Sequence, residues 1–348
     1  MEQRKIVAVD LAKNSFQIHV ANRNGKVLQR LKKNRKSFLD YLVKSESCLI
    51  FMEACGSSNY WARKARSLGH EVKLIAPQYV KPFVKRQKND SADAEAIFEA
   101  GCRENMNFVP IKSVHQQDIQ SLVRVRDLHV GQRTAVSNQV RGLLHEYGIS
   151  APRGHKGLRE TLARVCAEPL EEDLTELTVR LVRDLHLRLQ ELEDVVLSYD
   201  QQIERLTREN EQCQRLKKIP GIGPLTAASL VASIGNASEF KNSRQLSAWL
   251  GLVPKQSSTG GRTKLSGLSK QGNKHLRTLL IHGGRAVLIN TGKKTDPRSQ
   301  WAEDLKKKVG MNKAAVALAN KNARTVWAVL TRQEDYDPHY KQEAKKVA

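Results

Sequence analysis

The sequence is poor in cysteine, and none of its cysteines form a C-x-x-C pair. The five cysteines are scattered along the chain, at Cys48, Cys55, Cys102, Cys166 and Cys213. A disulfide framework or a structural zinc site would need cysteines at regular, paired spacings. Neither type of site is therefore indicated, and we expect the thiols to be reduced.

Long apolar runs are also missing. No stretch approaches the roughly 20 residues of a bilayer-spanning helix. Residues 1–5 lead directly into a strand-like segment, without the apolar region of a secretory signal. The chain has 348 residues, of which 40% are hydrophobic, which is enough for cores in two or three domains. We expect a cytoplasmic protein that does not contact membranes.

Acidic residues are scarce relative to basic ones. The chain has 59 lysines and arginines against 36 acidic residues, a formal net charge of +23. Residues 215–332 hold roughly 22 of the basic residues and about 4 of the acidic ones. Such an excess predicts a polyanionic partner, most often nucleic acid, although a merely soluble basic protein is the alternative.

The N-terminal hundred residues alternate between strand-like and helix-like patterns. An Asn24-Gly25 turn separates the second and third strands. The strands are expected at 5–10, 15–21, 26–31, 48–52 and 71–75, and the helices at 36–45, 60–68 and 90–100. Three meandering strands followed by alternating helices and strands indicate a ribonuclease H-like fold with a mixed sheet.

Four acids stand out in this region. Asp10 ends the first strand and Glu53 follows the fourth, and these strands are neighbours in such a sheet. Asp90 and Asp93 lie one helical turn apart. Clustered carboxylates repel each other unless a cation intervenes, and Mg²⁺ prefers oxygen ligands. We predict a Mg²⁺ site for phosphodiester chemistry, although Asp90 could instead be a helix cap and Asp93 a solvated residue.

Two long helices are expected next, at 114–147 and about 174–217, joined by a basic linker marked by Pro152, Gly154 and Gly157. The first carries four arginines that we expect to face nucleic acid: Arg124, Arg126, Arg133 and Arg141. The second carries a heptad seam, formed by Leu185, Leu189, Leu192, Val196, Tyr199, Ile203 and Leu206. The seam predicts either a helix packed on its own domain or a coiled-coil arm that joins protomers.

A Gly-rich segment, Ile-Pro-Gly-Ile-Gly-Pro at 219–224, opens a helix at 225–234. It resembles the turn of a helix-hairpin-helix, in which backbone amides approach a phosphate, although an ordinary helix entry is the alternative. Further along, Ser257, Ser258 and Thr259 precede two glycines among many basic residues. Cations can activate a serine and stabilise a pentacoordinate phosphate, but a simple phosphate-binding loop would have the same composition. A last apolar helix is expected at 312–331.

Several motifs together resemble the Piv-type DEDD transposases of the insertion-sequence 110 group, especially its 1111-type branch. The N-terminal motifs are "VAVDLAKN", "FMEACGSSNYWAR" and "KNDSADAEAI". The C-terminal motifs are "IPGIGPLTAASLVASIG", "FKNSRQLSAWLGLVPKQSSTGGR", "LSKQGNKHLRTLLIHGGRAV" and "ALANKNARTVWAVL". The resemblance spans nearly the whole chain.

The resemblance implies a RuvC-like domain in which the DEDD acids are Asp10, Glu53, Asp90 and Asp93. It places the family's nucleophilic serine at Ser258, with Ser257 as the alternative. It further implies a homo-oligomer, a dimer or a tetramer, guided by a bridge RNA that pairs with DNA.

The sequence therefore predicts an α/β plus α protein that acts as a DNA transposase with a serine–phosphate intermediate and Mg²⁺. We expect a RuvC-like domain at 1–110, a helical and coiled-coil region at 111–214, a mainly helical transposase domain at 215–332 and a tail at 333–348. Further phosphate contacts are expected from Arg262, Lys270 and Arg277. The alternatives are a Mg²⁺-dependent nuclease of the Holliday-junction type that uses water, and a non-catalytic nucleic-acid-binding protein.

Overall fold

A computed structural model describes residues 5–84, 90–167 and 174–339 of the chain. The chain divides into two compact units. Unit 1 comprises Met1–Gln117 and Ile234–Glu239, and unit 2 comprises Asp118–Ser233 and Phe240–Ala348. Within the described ranges, no helix has the length and apolar character needed to cross a membrane. All five cysteines are free thiols.

Unit 1 is a mixed sheet with helices on both faces. Its strands are β1 (Ile6–Leu11), β2 (Ser15–Ala21), β3 (Val27–Asn34), β4 (Leu49–Glu53), β5 (Glu71–Ile75) and β6 (Phe108–Val109). Its helices are α1 (Arg35–Lys44), α2 (Ser58–Ser67), α3 (Pro77–Val80) and α4 (Asp90–Gly101), with a 3-10 turn at Lys81–Phe83. This confirms the predicted order of three strands followed by alternating helices and strands.

The sheet has the order β3-β2-β1-β4-β5-β6. The first three strands form an antiparallel meander. β4 then pairs in parallel with β1, and β5 in parallel with β4. The carboxyl ends of β1 and β4 therefore lie side by side, with Val9 paired to Met52 just before the two acids.

Alternating side chains of the strands feed two hydrophobic cores, because successive residues point to opposite faces of a sheet. Val7 and Val9 pack on the face covered by Phe38 of α1 and Trp61 of α2. On the opposite face, Ile6, Ala8 and Phe51 pack with Ala96, Ile97 and Ala100 of α4. The strands are apolar on both faces because helices cover both.

Unit 2 is mainly helical. Its helices are α5 (Val114–His145, which begins in unit 1), α6 (His155–Ala167), α7 (Glu176–Glu209), α8 (Glu211–Lys217), α9 (Pro224–Ile234), α10 (Ser243–Trp249), α11 (Lys274–Ile289), α12 (Pro297–Val309) and α13 (Met311–Arg332). Two strands, β7 (Pro254–Thr259) and β8 (Arg262–Leu268), form an antiparallel hairpin. A short 3-10 turn occupies Thr291–Lys293, and another occupies Ala237–Glu239 in the segment that belongs to unit 1. The architecture is consistent with a ribonuclease H-like domain followed by a helical C-terminal domain.

Two predictions for the helical region need correction. The helix expected over 174–217 is divided at Asn210, whose extended backbone ends α7 and whose side chain caps α8 by accepting from the Cys213 amide. The segment expected to be a linker after Pro152 contains α6, which buries Leu158, Leu162 and Val165. These residues have helical spacing and pack against α5 and α7.

The heptad seam of α7 packs within its own unit. Leu189 lies in a core with Val140 and Leu144 of α5, while Ile203 packs against Val123 and the alanines of α9. Of the two interpretations of the seam, this arrangement corresponds to a helix packed on its own domain. A coiled-coil contact between protomers stays a prediction.

The Gly-rich turn before α9 packs closely on α11. Gly221 has a φ of +88°, which favours glycine, and a Cβ there would lie 2.8 Å from the Gly283 carbonyl oxygen. A Cβ at Gly283 would lie 1.9 Å from the Gly221 oxygen. Packing therefore explains Gly221, whereas a Cβ at Gly223 would meet nothing within 4 Å. A phosphate contact by this turn stays a prediction.

Candidate acidic site and serine hairpin

Asp10 and Glu53 occupy equivalent places at the ends of neighbouring parallel strands. Ile6, Ala8 and Phe51 point to the face of the sheet that α4 covers. Every second residue of a strand points to the same face, so Asp10 points the same way as Ile6 and Ala8, and Glu53 the same way as Phe51. Both acids are partly buried. The strand register therefore places two carboxylates on the same face and at the same edge.

Helix α4 supplies a third acid to this face. Asp93, Ala96, Ile97 and Ala100 are spaced as one helical stripe, and the last three are buried against the sheet. Asp93 is partly buried at the start of the stripe. Asp90 begins the helix, but its side chain lies outside the described residues.

The charges of the other two acids act on the carboxyl of Glu53. Burial raises the pKa of the Glu53 carboxyl, and the charges of Asp10 and Asp93 raise it further. Lys81, in the 3-10 turn that follows α3, opposes them by lowering this pKa. Negative charge is thus concentrated here at an energetic cost, and the contribution of Lys81 was not apparent from the sequence.

The donor chemistry of the three acids fits a hard divalent cation such as Mg²⁺, which takes carboxylate oxygens and keeps several waters. However, among the side chains that the structure describes, no three of His, Cys, Asp or Glu are arranged to hold a metal ion. Asp90 is not one of these side chains. The acids therefore suit the ion chemically, and metal binding stays a prediction.

The candidate serines lie on the β7–β8 hairpin of unit 2. Gly260 and Gly261 form its two-residue tip with φ values of +55° and +76°, as a type I′ turn requires. All the residues of β7 are exposed. The prediction missed these strands because they are polar, although a Gly-Gly pair between two short segments is a hairpin signal.

Ser257 and Ser258 point to opposite faces of the hairpin, as successive strand residues do. Ser258 pairs with Thr263, and its Oγ lies 3.3 Å from the Thr263 Oγ1. The Ser258 Oγ also accepts a hydrogen bond of 3.1 Å from the side-chain Nε2 of Gln256. Ser257 pairs with Lys264. The two hydroxyls therefore have different neighbours, which makes each serine a control for the other.

Arg277 closes the base of the hairpin from helix α11. It is 9% exposed, and its Nη1 donates to the Leu250 and Gln271 carbonyl oxygens at 3.2 Å each. A Cβ at Gly251 would lie 2.0 Å from the Gln271 oxygen, and one at Gly272 would lie 1.9 Å from the Trp249 oxygen. The structure thus places Arg277 inside a tight junction, and the predicted phosphate contact stays untested.

The other predicted basic contacts occupy varied positions. Arg262 is exposed beside the tip, and Lys270 has a φ of +54° where the chain leaves the hairpin. On α5, Arg124 is exposed, whereas the Arg126 Nε donates to Asp200 at 2.6 Å. Arg141 donates to the Gly154 carbonyl oxygen at 2.8 Å, and the Nε of Arg133 is buried without a partner among the described residues. Nucleic-acid contacts by these residues stay predictions.

Comparison with known proteins gives two family matches. A model of the DEDD type from insertion sequence IS110, described as "Transposase", matches residues 7–149. A second model, described as "Transposase IS116/IS110/IS902 family", matches residues 213–300. The first covers all four predicted acids, and the second covers both serines of the hairpin.

Full-length relatives agree with these matches. A "Probable family 20 transposase" of Pseudomonas aeruginosa is 47% identical, over 95% of this chain and 98% of that protein. The "Transposase for insertion sequence element IS1111A" of Coxiella burnetii is 45% identical, over 97% and 92%. The "Transposase for insertion sequence element IS1328" of Yersinia enterocolitica is 38% identical, over 94% and 97%.

Proposed function

Because the chain belongs to the IS110 family of DNA transposases, we propose that it cuts and rejoins DNA through a serine–phosphate intermediate. Asp10, Glu53, Asp90 and Asp93 form the acidic site, and Ser258 is the nucleophile. The observation that carries the proposal is that the register of β1 and β4 and the helical spacing of α4 bring Asp10, Glu53 and Asp93 to one face of the sheet. A purely structural role would not require repelling carboxylates there.

In this proposal the four acids would hold Mg²⁺. When bound, the ion supplies positive charge that stabilises the developing negative charge on the phosphate oxygens. The chain's own acids bind and orient the ion through hard oxygen donors, while Lys81 limits the local excess of negative charge. A strand-end position suits this role because it fixes the carboxylates on rigid backbone.

Ser258 performs the covalent step. Its Oγ forms a bond to phosphorus as the bridging bond from phosphorus to the sugar oxygen breaks. The serine gives up its proton, and the departing sugar oxygen gains one, so that the step balances. The phosphodiester energy is kept in the serine–phosphate bond, and rejoining reverses the step without an external energy source.

The test is to trap the covalent protein–DNA adduct under denaturing conditions with DNA that carries the ends of the insertion sequence. Ser258→Ala is expected to abolish the adduct while it leaves nucleic-acid binding unchanged. Ser257→Ala is the matched control, because it removes the same hydroxyl from the opposite face of the hairpin. An adduct that survives Ser258→Ala and disappears in Ser257→Ala would reassign the nucleophile.

The same assay separates the alternative nuclease mechanism. If water were the nucleophile, cleavage would persist in both serine variants and no adduct would form. The concentration of polar, exposed hydroxyls on a hairpin that has little packing role favours the serine mechanism.

We further propose that a bridge RNA guides the enzyme and that the protein acts as a homo-oligomer, a dimer or a tetramer. The net charge of +23 supports extensive contact with nucleic acid. Sequencing of RNA that copurifies with the protein tests the guide. One enriched transcript is expected, whereas a random pool would contradict the idea.

A further inference from the structure

A cavity of 610 Å³ lies in unit 2, between helices α12 and α13 and the segment that follows α13. Its volume falls in the range of about 300–1,000 Å³ that is usual for ligand sites. Arg298, Lys321, Arg324 and Arg332 are among the residues that line it. Residues 334–338 line it as well, and we call residues 333–339 the acidic strap.

Arg298 is a buried cation that faces this cavity. It is 8% exposed, and one of its Nη atoms donates to the Asn322 side chain. Its Nε is buried and has no hydrogen-bond partner within the described part of the chain. Leaving a charged donor unsatisfied is costly, so the protein compensates the charge of Arg298 only in part.

Further cations converge on the same place. Burial lowers the pKa of the Lys321 ammonium, and the charges of Arg298 and Arg324 lower it further. The Lys321 Nζ lies 4.2 Å from the ring centre of Trp301. Like charges that are near enough to shift a pKa repel each other unless an anion lies between them.

The acidic strap contributes carboxylates and an aromatic ring. Glu334, Asp335 and Asp337 are exposed along it. Asp335 pairs with Lys218 at 2.5 Å, and Tyr336 lies 5.3 Å from the Arg298 guanidinium. Cations beside aromatic rings are the usual platform for single-stranded nucleic acid, because phosphates meet the charges and bases stack on the rings.

We propose that this cavity binds a nucleotide unit of single-stranded nucleic acid and that the acidic strap weakens that binding. The phosphodiester lies against Arg298, Lys321 and Arg324, and the base stacks on Tyr336. The strap's carboxylates repel the phosphate, so they restrict occupancy of the site. None of the residues that line this cavity is among those assigned to catalysis.

The test measures the affinity of the full-length protein for labelled oligothymidylate and oligouridylate of about 12 nucleotides, a length within the usual footprint of such sites. Lys321→Gln with Arg324→Gln is expected to weaken binding about tenfold, the effect of removing one charge-assisted hydrogen bond. The slope of log affinity against log salt should also become shallower by about 0.7 for each phosphate that the variant no longer neutralises. Comparing the affinities for oligothymidylate and oligouridylate identifies whether the cavity binds DNA or RNA.

The matched control is Lys308→Gln with Lys313→Gln, which removes two exposed charges from α12 and α13 outside the cavity. This control is expected to change the affinity much less. An equal loss of affinity in both double variants would show a general charge effect and would overturn the proposal.

A second measurement tests the strap. Neutralising it with Glu334→Gln, Asp335→Asn and Asp337→Asn is expected to tighten binding. The gain in affinity should vanish when Lys321 and Arg324 are also replaced, and it should persist in the control background. A gain that persists without the cavity cations would contradict the proposal.

Discussion

The junction below the serine hairpin yields a quantitative prediction about Arg277. Arg277→Met keeps the apolar stem of the side chain and removes the guanidinium, which holds the Leu250 and Gln271 carbonyl oxygens together. A hydrogen bond from a charged donor contributes about 1.5–3 kcal/mol. Both hydrogen bonds share one nitrogen at 3.2 Å, so we expect a loss of about 3 kcal/mol rather than the full sum.

Native-state hydrogen exchange measures this loss locally. The Leu252 amide donates to the Ser247 carbonyl oxygen at 3.1 Å, next to the junction. If opening of the junction becomes easier by about 3 kcal/mol, this amide should exchange about 150-fold faster. Lys274→Met is the control, because it removes an exposed charge from the same helix.

The result also decides between two roles for Arg277. If the guanidinium clamps the hairpin, exchange accelerates and adduct formation falls, because the serine is no longer held in place. If it mainly contacts a phosphate, DNA affinity falls while exchange matches the Lys274→Met control. Exchange within about twofold of that control would refute the clamp, since twofold is well below the effect of one hydrogen bond.

Three further predictions concern unit 1. The pKa of Glu53 is raised above its ordinary 4.5, so the metal-free protein should lose stability as the pH rises from 4.5 through the folded-state pKa. Urea unfolding in EDTA at pH 4 to 8 measures this loss, and Glu53→Gln should remove it. Identical pH profiles of the variant and the wild type would contradict the prediction. In the same assay, Mg²⁺ at 100 times its Kd should stabilise the wild type by about 2.7 kcal/mol. Asp93→Asn should abolish most of that stabilisation, and an equal stabilisation of both proteins would exclude Asp93 as a ligand. Gly101→Ala puts a Cβ 2.4 Å from the Phe51 ring and should cost about 1–3 kcal/mol, whereas Gly131→Ala, where nothing lies within 4 Å, should cost nothing.

The sheet of unit 1 could be predicted because its strands are apolar and bounded by turn residues. The end of β3 could not, since its last residues are polar and are held in the sheet by pairing with β2, as Lys33 is with Phe16. Backbone pairing of that kind leaves no hydrophobic pattern. The order of the strands was enough to predict that Asp10 and Glu53 lie near each other. The position of Asp93 could not be predicted in this way, because it depends on which face of the sheet α4 packs against.

Unit 2 was harder to predict because several of its determinants are polar. The β7–β8 hairpin has exposed strands without apolar alternation, and α6 follows a Pro and Gly segment that resembles a linker. The burial of Arg277 and Arg298 depends on carbonyl and amide partners distant in sequence. The phosphate contact predicted for Arg277 came from the basic composition of its segment. Composition cannot show that a cation already has partners within the protein.

The most direct test of the central claim is a crystal structure of the full-length protein with DNA and Mn²⁺ in place of Mg²⁺. The anomalous signal locates the ion independently of the protein coordinates. We predict a peak bound by Asp10, Glu53 and Asp93, completed by Asp90, with the Ser258 Oγ at the same scissile phosphate. A peak held by other residues, or a Ser258 remote from every scissile phosphate, would contradict the account.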